Sequence, residues 1–295
     1  MQPILCPLCR QNDTLPVWRK TYGDLQVTTV LCRSCGLVYH NPVVQDSDRE
    51  RLGLTHRQLH TNEAINQRHR RRVQQRVDRQ ADFLAPIIRP SWQTLEIGCG
   101  LGVFSDWLHR QGCEVVGIEP DSQQAAYARE HYGIEVINDR FEEIAITSGF
   151  DFIASSHVIE HFPAPLAFLQ KVRSLAKPQA WLFLETPNIL APKVGPRRVF
   201  SLPHNYYFSP QTLTALLAQA GWHVEKMRVF RRDSFQLVAR TAPAQPAATD
   251  GLHAREVLQA IRRHRWVYYL YLLFLWRKIP LWQRKWMYRF QDYLS

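Results

Sequence analysis

The sequence predicts an α/β chain with an attachment at each end. Three observations carry that expectation. Between Thr94 and about Arg240 short apolar runs alternate with stretches of helical periodicity, the pattern of a mostly parallel sheet covered by helices. A glycine-rich turn follows the first of these runs, where a strand would hand over to a helix. The ends depart from the pattern: two CxxC pairs lie within residues 1–45, and residues 252–295 form a basic, strongly aromatic tail.

Composition bounds the classes. The 295 residues suit one large domain with attachments or two domains, and 12% aromatic content excludes disorder throughout. No uninterrupted apolar run approaches the ~20 residues of a membrane span, which excludes a polytopic membrane protein. Met1 to Arg10 offers no apolar segment for a secretory signal, so a cytoplasmic protein is expected. Six cysteines are too few for a disulfide scaffold at this size. The net charge of +11 favours anionic partners: phosphates, nucleic acid or anionic lipid.

Taken in chain order, residues 1–45 hold little that could build a core, so they need a staple. Cys6-Pro7-Leu8-Cys9 and Cys32-Arg33-Ser34-Cys35-Gly36 supply one, two knuckles offering four thiolates to a tetrahedral ion at Zn–S distances of about 2.3 Å. A redox CxxC would explain one pair, not two, and zinc is expected over iron. With its coordination closed the ion would be structural. Residues 57–89 then place Ile65, Val73, Val77, Ala81, Leu84 and Ile88 at helical spacing, with Arg70, Arg71, Arg72, Arg76 and Arg79 between them. This is a basic amphipathic helix, stopped by Pro86 and Pro90.

Strands are expected at Thr94 to Ile97, Glu114 to Glu119, Ile134 to Ile137, Phe150 to Ser155 and Trp181 to Glu185. Helices are expected at Val103 to Gln111, Asp121 to His131, Pro163 to Ala176 and Pro210 to Ala220. Trp222 to Phe230 and Ser234 to Ala239 are close enough to form an antiparallel hairpin at one end of the sheet. Residues 241–251, rich in Ala and Pro, read as a linker.

The chemistry concentrates in Glu96-Ile97-Gly98-Cys99-Gly100-Leu101-Gly102. Glycines at 98, 100 and 102 let backbone approach a ligand, and the Cys99 backbone would touch it. A dinucleotide loop would need its third glycine at 103, where Val103 stands, which speaks against NAD or FAD. Glu96 at the strand end could receive an ammonium group. Glu119, ending the next strand, could accept both hydroxyls of a ribose, and Asp139, after the third, an adenine amine.

These residues resemble the class I S-adenosylmethionine-dependent methyltransferases. Glu96 to Gly102 looks like that family's first motif and Glu119 like its ribose-binding acid. Ser155 to Phe162 is similar to the segment after its fourth strand, and His204-Asn205-Tyr206-Tyr207-Phe208-Ser209-Pro210 to the loop before the last helix in small-molecule enzymes of the ubiquinone-biosynthesis type. The resemblance covers about residues 60–240. It implies a Rossmann-like seven-stranded sheet with its last strand antiparallel, and S-adenosyl-L-methionine as cofactor. The cysteine pairs resemble the zinc ribbon that precedes this domain in a group of bacterial proteins, some of which act on sugars. Domains are therefore expected at 1–45 (zinc ribbon), 57–240 (methyltransferase with leading basic helix), 241–251 (linker) and 252–295 (helical tail).

For an acceptor that must lose a proton, His161 is the first candidate base and His204 the second, each near the ordinary imidazole pKa and each balanced against a merely structural histidine. His157 is expected to line the cofactor pocket, and Cys99 and Cys113 to be small buried hydrophobes. The acceptor is expected to be a small molecule, a sugar or lipid-linked glycan hydroxyl. An RNA acceptor gripped by the ribbon and basic helix is the alternative, less favoured because no Asn-Pro-Pro-Tyr-like segment follows the fourth strand. A non-catalytic scaffold is opposed by the intact glycine loop and acids.

The tail carries nine Lys or Arg against Glu256 and Asp292, a net +7 of the total +11. Its apolar run Trp266 to Trp276 would be about 16 Å long as a helix, half of a ~30 Å hydrocarbon layer. It can lie in a membrane interface, with Pro280 breaking it before Leu281 to Leu294, or pack as a helical pair on protein or across a dimer. The cations bracketing the apolar run favour peripheral contact at the inner face of a membrane.

Overall fold

The structure is a computed structural model that describes residues 3–52, 67–147, 149–192, 195–230, 234–246 and 251–278. Among these, seven strands form the central sheet: β4 (Gln93–Ile97), β5 (Glu114–Ile118), β6 (Glu135–Ile137), β7 (Phe150–Ser156), β8 (Ala176–Pro187), β10 (Trp222–Val229) and β11 (Ser234–Thr241). Their order is β10-β11-β8-β7-β4-β5-β6. Neighbours from β8 to β6 run parallel, while β11 is antiparallel to both β8 and β10. The hairpin and the antiparallel last strand therefore stand as expected. Leu95, Ile97, Ile153, Leu182 and Leu237 are all within 1% of complete burial, because parallel strands are covered on both faces.

Helices α2 (Gln67–Leu84), α3 (Val103–Arg110), α4 (Ser122–Tyr132), α5 (Pro165–Leu175) and α7 (Pro210–Gln219) make the covering layers. The expected basic helix is α2, whose Val77, Leu84 and Phe83 are buried while Arg70, Arg71, Arg72 and Arg79 face solvent. Its proposed first turns, with Ile65, lie outside the described residues. Two boundaries differ from the sequence pattern. Helix α5 starts at Pro165, in the first-turn position where a fixed φ costs nothing, and Pro163 instead lends its carbonyl to the Tyr206 hydroxyl at 2.8 Å. Strand β8 begins directly after α5 at Ala176, five residues before Trp181, since Ala176 pairs with Phe150 across a register shift.

The N-terminal segment forms a second sheet. Strands β1 (Thr14–Tyr22), β2 (Leu25–Cys32) and β3 (Val38–His40) pair antiparallel, and the fourth strand, β9 (Tyr206–Tyr207), comes from the segment just before α7. Cys6, Leu8, Val30, Leu37 and Tyr39 share a core cluster with Tyr206, Phe208 and Leu213. The N-terminal segment is thus welded to the α/β fold through its own sheet and core. Short helices α1 (Asp46–Arg51) and α6 (Pro196–Val199) flank this junction, and α8 (Gly251–Lys278) packs across it. The proposed break at Pro280 and the second tail helix lie outside the described residues.

Candidate active site

A cleft of about 520 Å³ opens at the carboxyl edge of β4, β5 and β7, where ligands bind in open α/β sheets. Its floor is the loop from β4 to α3. Gly98 has φ +74°, and a Cβ there would come within 2.5 Å of Val158 Cγ2. Only glycine permits both the left-handed backbone and the approach of the segment after β7.

Two buried acids face this loop. Glu119 accepts the Gly100 N–H on one carboxylate oxygen and the Asp121 N–H on the other, each at 2.9 Å, which leaves a lone pair on both. Burial pushes its pKa up to about 7 despite these donors. Glu96 accepts the Ser105 hydroxyl at 2.5 Å, and burial raises it to about 8. Two acids held back from ionising by burial suit a ligand that brings positive charge and hydroxyl donors. Gly98, Cys99 and Gly100 line the cleft beside them, and Gly102 caps α3 with φ +77°. Asp139 stands apart: it is exposed, bonds the N–H of Arg140, and leaves the wall at this strand end to Arg140, Phe141 and Glu142.

The opposite wall holds the histidines. His157 sits at φ +57° at the end of β7, with Nδ1 3.5 Å from Glu160 and Nε2 3.8 Å from Glu185. Burial and Arg76 oppose its charge, but the two carboxylates outweigh them and its pKa is raised. Burial likewise opposes ionisation of Glu160 and Glu185, and contact with His157 overrides it, holding each at about 2. Gln80, Gln236 and Ser234 complete the shell of Glu185 with hydrogen bonds of 2.7–3.0 Å. His157 is therefore clamped between two anions on the wall of the cleft.

His161 and His204 meet edge to face, ring centroids 4.8 Å apart. His161 Nδ1 lies 3.0 Å from the Pro203 carbonyl, which can only accept, so the proton belongs on Nδ1 and the Nε2 lone pair is free. Burial lowers the His161 pKa to about 4 and depresses that of His204. The sequence expectation placed both near the ordinary imidazole value; the structure corrects this, because both rings lie in a closed corner next to each other. Both are neutral at physiological pH. Glu160, His161 and His204 each bring one donor atom within 4.8 Å of the others, a set that could also hold a metal ion.

Four groups that matter here were missed in the sequence. Asn205 is fully buried and makes five hydrogen bonds to four residues: its N–H donates to the Glu160 carbonyl, its side chain donates to the carbonyls of His161 and Val44, its Oδ1 accepts the Val44 N–H, and its carbonyl accepts the His40 N–H. It ties both histidine segments to the ribbon. Gln80 had a signal, a polar residue on the apolar stripe of Val73, Val77 and Leu84. Glu185 had the same signal as Glu96 and Glu119, an acid ending an apolar strand. Arg49, nearly buried, donates to Asp46 at 2.6 Å and to the Pro203 carbonyl at 3.3 Å, closing the cleft from α1.

Residues 67–227, more than half of the chain, match a family model described as a methyltransferase domain. The chain belongs to the class I S-adenosylmethionine-dependent methyltransferases. This methyltransferase is 32% identical over 173 residues to a ubiquinone biosynthesis O-methyltransferase of Xylella fastidiosa strain M23, covering 50% of this chain and 70% of that one. A Pseudoalteromonas translucida protein of the same name is 29% identical over 151 residues, 45% and 64% of the two chains. A crystal structure of a Pyrococcus horikoshii OT3 protein superposes with a TM-score of 0.50 at 20% identity, over 61% of this methyltransferase and 93% of that chain, and so shares its fold.

The N-terminal sulfurs converge as well. Cys6 and Cys35 Sγ are 3.6 Å apart, Cys9 and Cys32 Sγ 3.4 Å, and all four lie within 4.8 Å of one another. A tetrahedron of ~2.3 Å arms has edges of about 3.8 Å, so the donor set fits one zinc ion. Amides of Cys9, Ser34 and Leu37 reach the sulfurs of Cys6, Cys32 and Cys35 in turn. Cys99 and Cys113 are buried, 6% and 3% exposed, away from this cluster.

Proposed function

We propose that this methyltransferase transfers a methyl group to a hydroxyl oxygen of a small-molecule acceptor, a phenol or a sugar, with His161 as general base. When bound, S-adenosyl-L-methionine supplies an electrophilic methyl group on a sulfonium. Glu119 takes the ribose hydroxyls, Glu96 faces the ammonium end, and Arg76, on the cleft wall near His157, suits the carboxylate. For a methyl group displaced from that sulfonium, with S-adenosylhomocysteine as the leaving group, His161 Nε2 would take the proton of the acceptor hydroxyl. His204 packs the His161 ring into place. The observation that carries this reading is the fixed tautomer: Nδ1 is committed to Pro203, which leaves the Nε2 lone pair of a residue that lines the same cleft as the glycine loop.

The names of the relatives support an oxygen acceptor. A cleft closed by α1 and Pro203 favours a small molecule over RNA. The lipid-linked glycan remains the finer form of the sugar reading.

The test compares His161→Ala with wild type in methyl transfer to panels of phenolic and nucleotide-sugar acceptors. Turnover should fall about 10²-fold, the low end for a positioned base because a pKa of about 4 makes His161 a weak one, with unchanged affinity for S-adenosylhomocysteine. Wild-type turnover would overturn the assignment, and the panel that reacts identifies the acceptor class.

We infer also that Cys6, Cys9, Cys32 and Cys35 hold one structural Zn²⁺. Its service to catalysis runs through the sheet: β3 pairs with β9, directly after His204 and Asn205, and His40 donates its N–H to the Asn205 carbonyl at 2.8 Å.

A further inference from the structure

Helix α8 has two faces of different character. Val257 and Ile261 are buried against Val17, Leu31, Val38, Ile189, Phe200 and Tyr207, and Ala254 is buried beside Gly36. The Tyr268 ring continues that stripe against Gly195, where a Cβ would meet it at 2.5 Å. At ~100° per residue, Arg255, Arg262, Arg263, Trp266 and Leu270 fall within about 70° of the line opposite this stripe. All five are exposed, Trp266 to 69% and Leu270 to 52%, with Val267 at 55% and Tyr269 at 47% beside them. Large exposed aromatics contiguous with arginines mark an interaction surface, since a helix needs only one apolar face to dock on its own protein.

We propose that this outer face of α8 docks on an anionic phospholipid bilayer, lying in the plane of the interface. The charges select this occupant. Residues 251–278 contain Glu256 as their one acid, so a second copy of the helix offers the arginines little counter-charge, whereas anionic headgroups supply it along the whole face. Trp and Tyr prefer the headgroup level, where an apolar body and a polar tip are both satisfied. Among the described residues no helix is long and apolar enough to cross a membrane, which agrees with a helix that lies on the surface. The buried stripe packs on Phe200 and Tyr207, either side of His204, so the docking face is anchored on the acceptor side of the cleft.

The test is co-sedimentation of the full chain with large vesicles of phosphatidylcholine containing about one-third phosphatidylglycerol, and with pure phosphatidylcholine, at low and high salt. Binding is expected to the anionic vesicles alone and to weaken with salt. Each cation near such a surface is worth about fivefold in partitioning, so Arg262→Ala with Arg263→Ala should lower it about 30-fold. Trp266→Asp with Leu270→Asp should remove it. All four side chains are exposed, so melting temperature and S-adenosylhomocysteine affinity should not change in either variant. No binding to anionic vesicles, equal binding to both vesicle types, or wild-type partitioning by both variants overturns the proposal. So does a dimer in light scattering that Trp266→Asp abolishes while vesicles stay free of protein. A failure of the methyltransferase reading would show separately, as absent cofactor affinity in the wild type.

Discussion

Cofactor affinity should titrate with Glu119. Its carboxyl is buried and its pKa lies at about 7, while each oxygen keeps a lone pair directed away from the Gly100 and Asp121 amides. Hydroxyl donors bind the carboxylate better than the acid, so binding releases a proton and the dissociation constant falls as pH rises towards 7. A group of pKa about 7 is roughly 3% ionised at pH 5.5, so affinity there should be about 30-fold below its plateau, near 2 kcal/mol. Glu96, at about 8, adds a second, shallower dependence above that range. Calorimetry with S-adenosylhomocysteine between about pH 5.5 and 7.5, in buffers of different ionisation enthalpy, reads both the affinity and the released proton. Glu119→Gln should bind weakly at every pH and lose one proton from the slope. A dissociation constant flat across this range, or a Glu119→Gln variant with the wild-type slope, would refute the argument.

Gly98→Ala must carry a Cβ at φ +74° and 2.5 Å from Val158, so a loss of ~1–2 kcal/mol from the backbone alone should appear as a lower melting temperature. Adding Val158→Ala should recover the clash but not the backbone cost. Removing zinc with a chelator, or making Cys35→Ser, should release one metal ion per chain, lower the melting temperature and reduce turnover, leaving S-adenosylhomocysteine affinity within about twofold. Glu185 is held at about 2 by His157 and its amide donors, so its contribution is present above the ordinary carboxylate pKa and lost as pH falls towards about 2. The melting-temperature gap between wild type and Glu185→Gln should therefore be full at neutral pH and shrink below about pH 4.5.

The sheet was legible because its signals are local. Apolar runs of strand length, helical periodicity between them and the glycines at 98, 100 and 102 each report on a few consecutive residues, and the structure keeps them within a few positions. Glu96 and Glu119 were legible for the same reason, as acids that end apolar strands. Asp139 shows the limit of that rule: it too follows a strand, yet its side chain turns to solvent and to its neighbour's amide. The four cysteines were legible from spacing, since each CxxC builds its own knuckle. What spacing could not tell is that the ribbon takes Tyr206–Tyr207 as its fourth strand.

By itself, then, the sequence determined the α/β class, the glycine loop with Glu96 and Glu119 beside it, the cysteine donor set and the two-character tail. Tertiary structure alone decided that Asn205 joins Val44 to His161 across 161 and 44 positions of chain, that His161 is neutral with its Nε2 free, and which face of the last helix is left to the outside. The reason is the same in each case. Periodicity and motif spacing encode what a residue does to its own turn of chain, whereas desolvation, tautomer and exposure depend on which distant segments close around it.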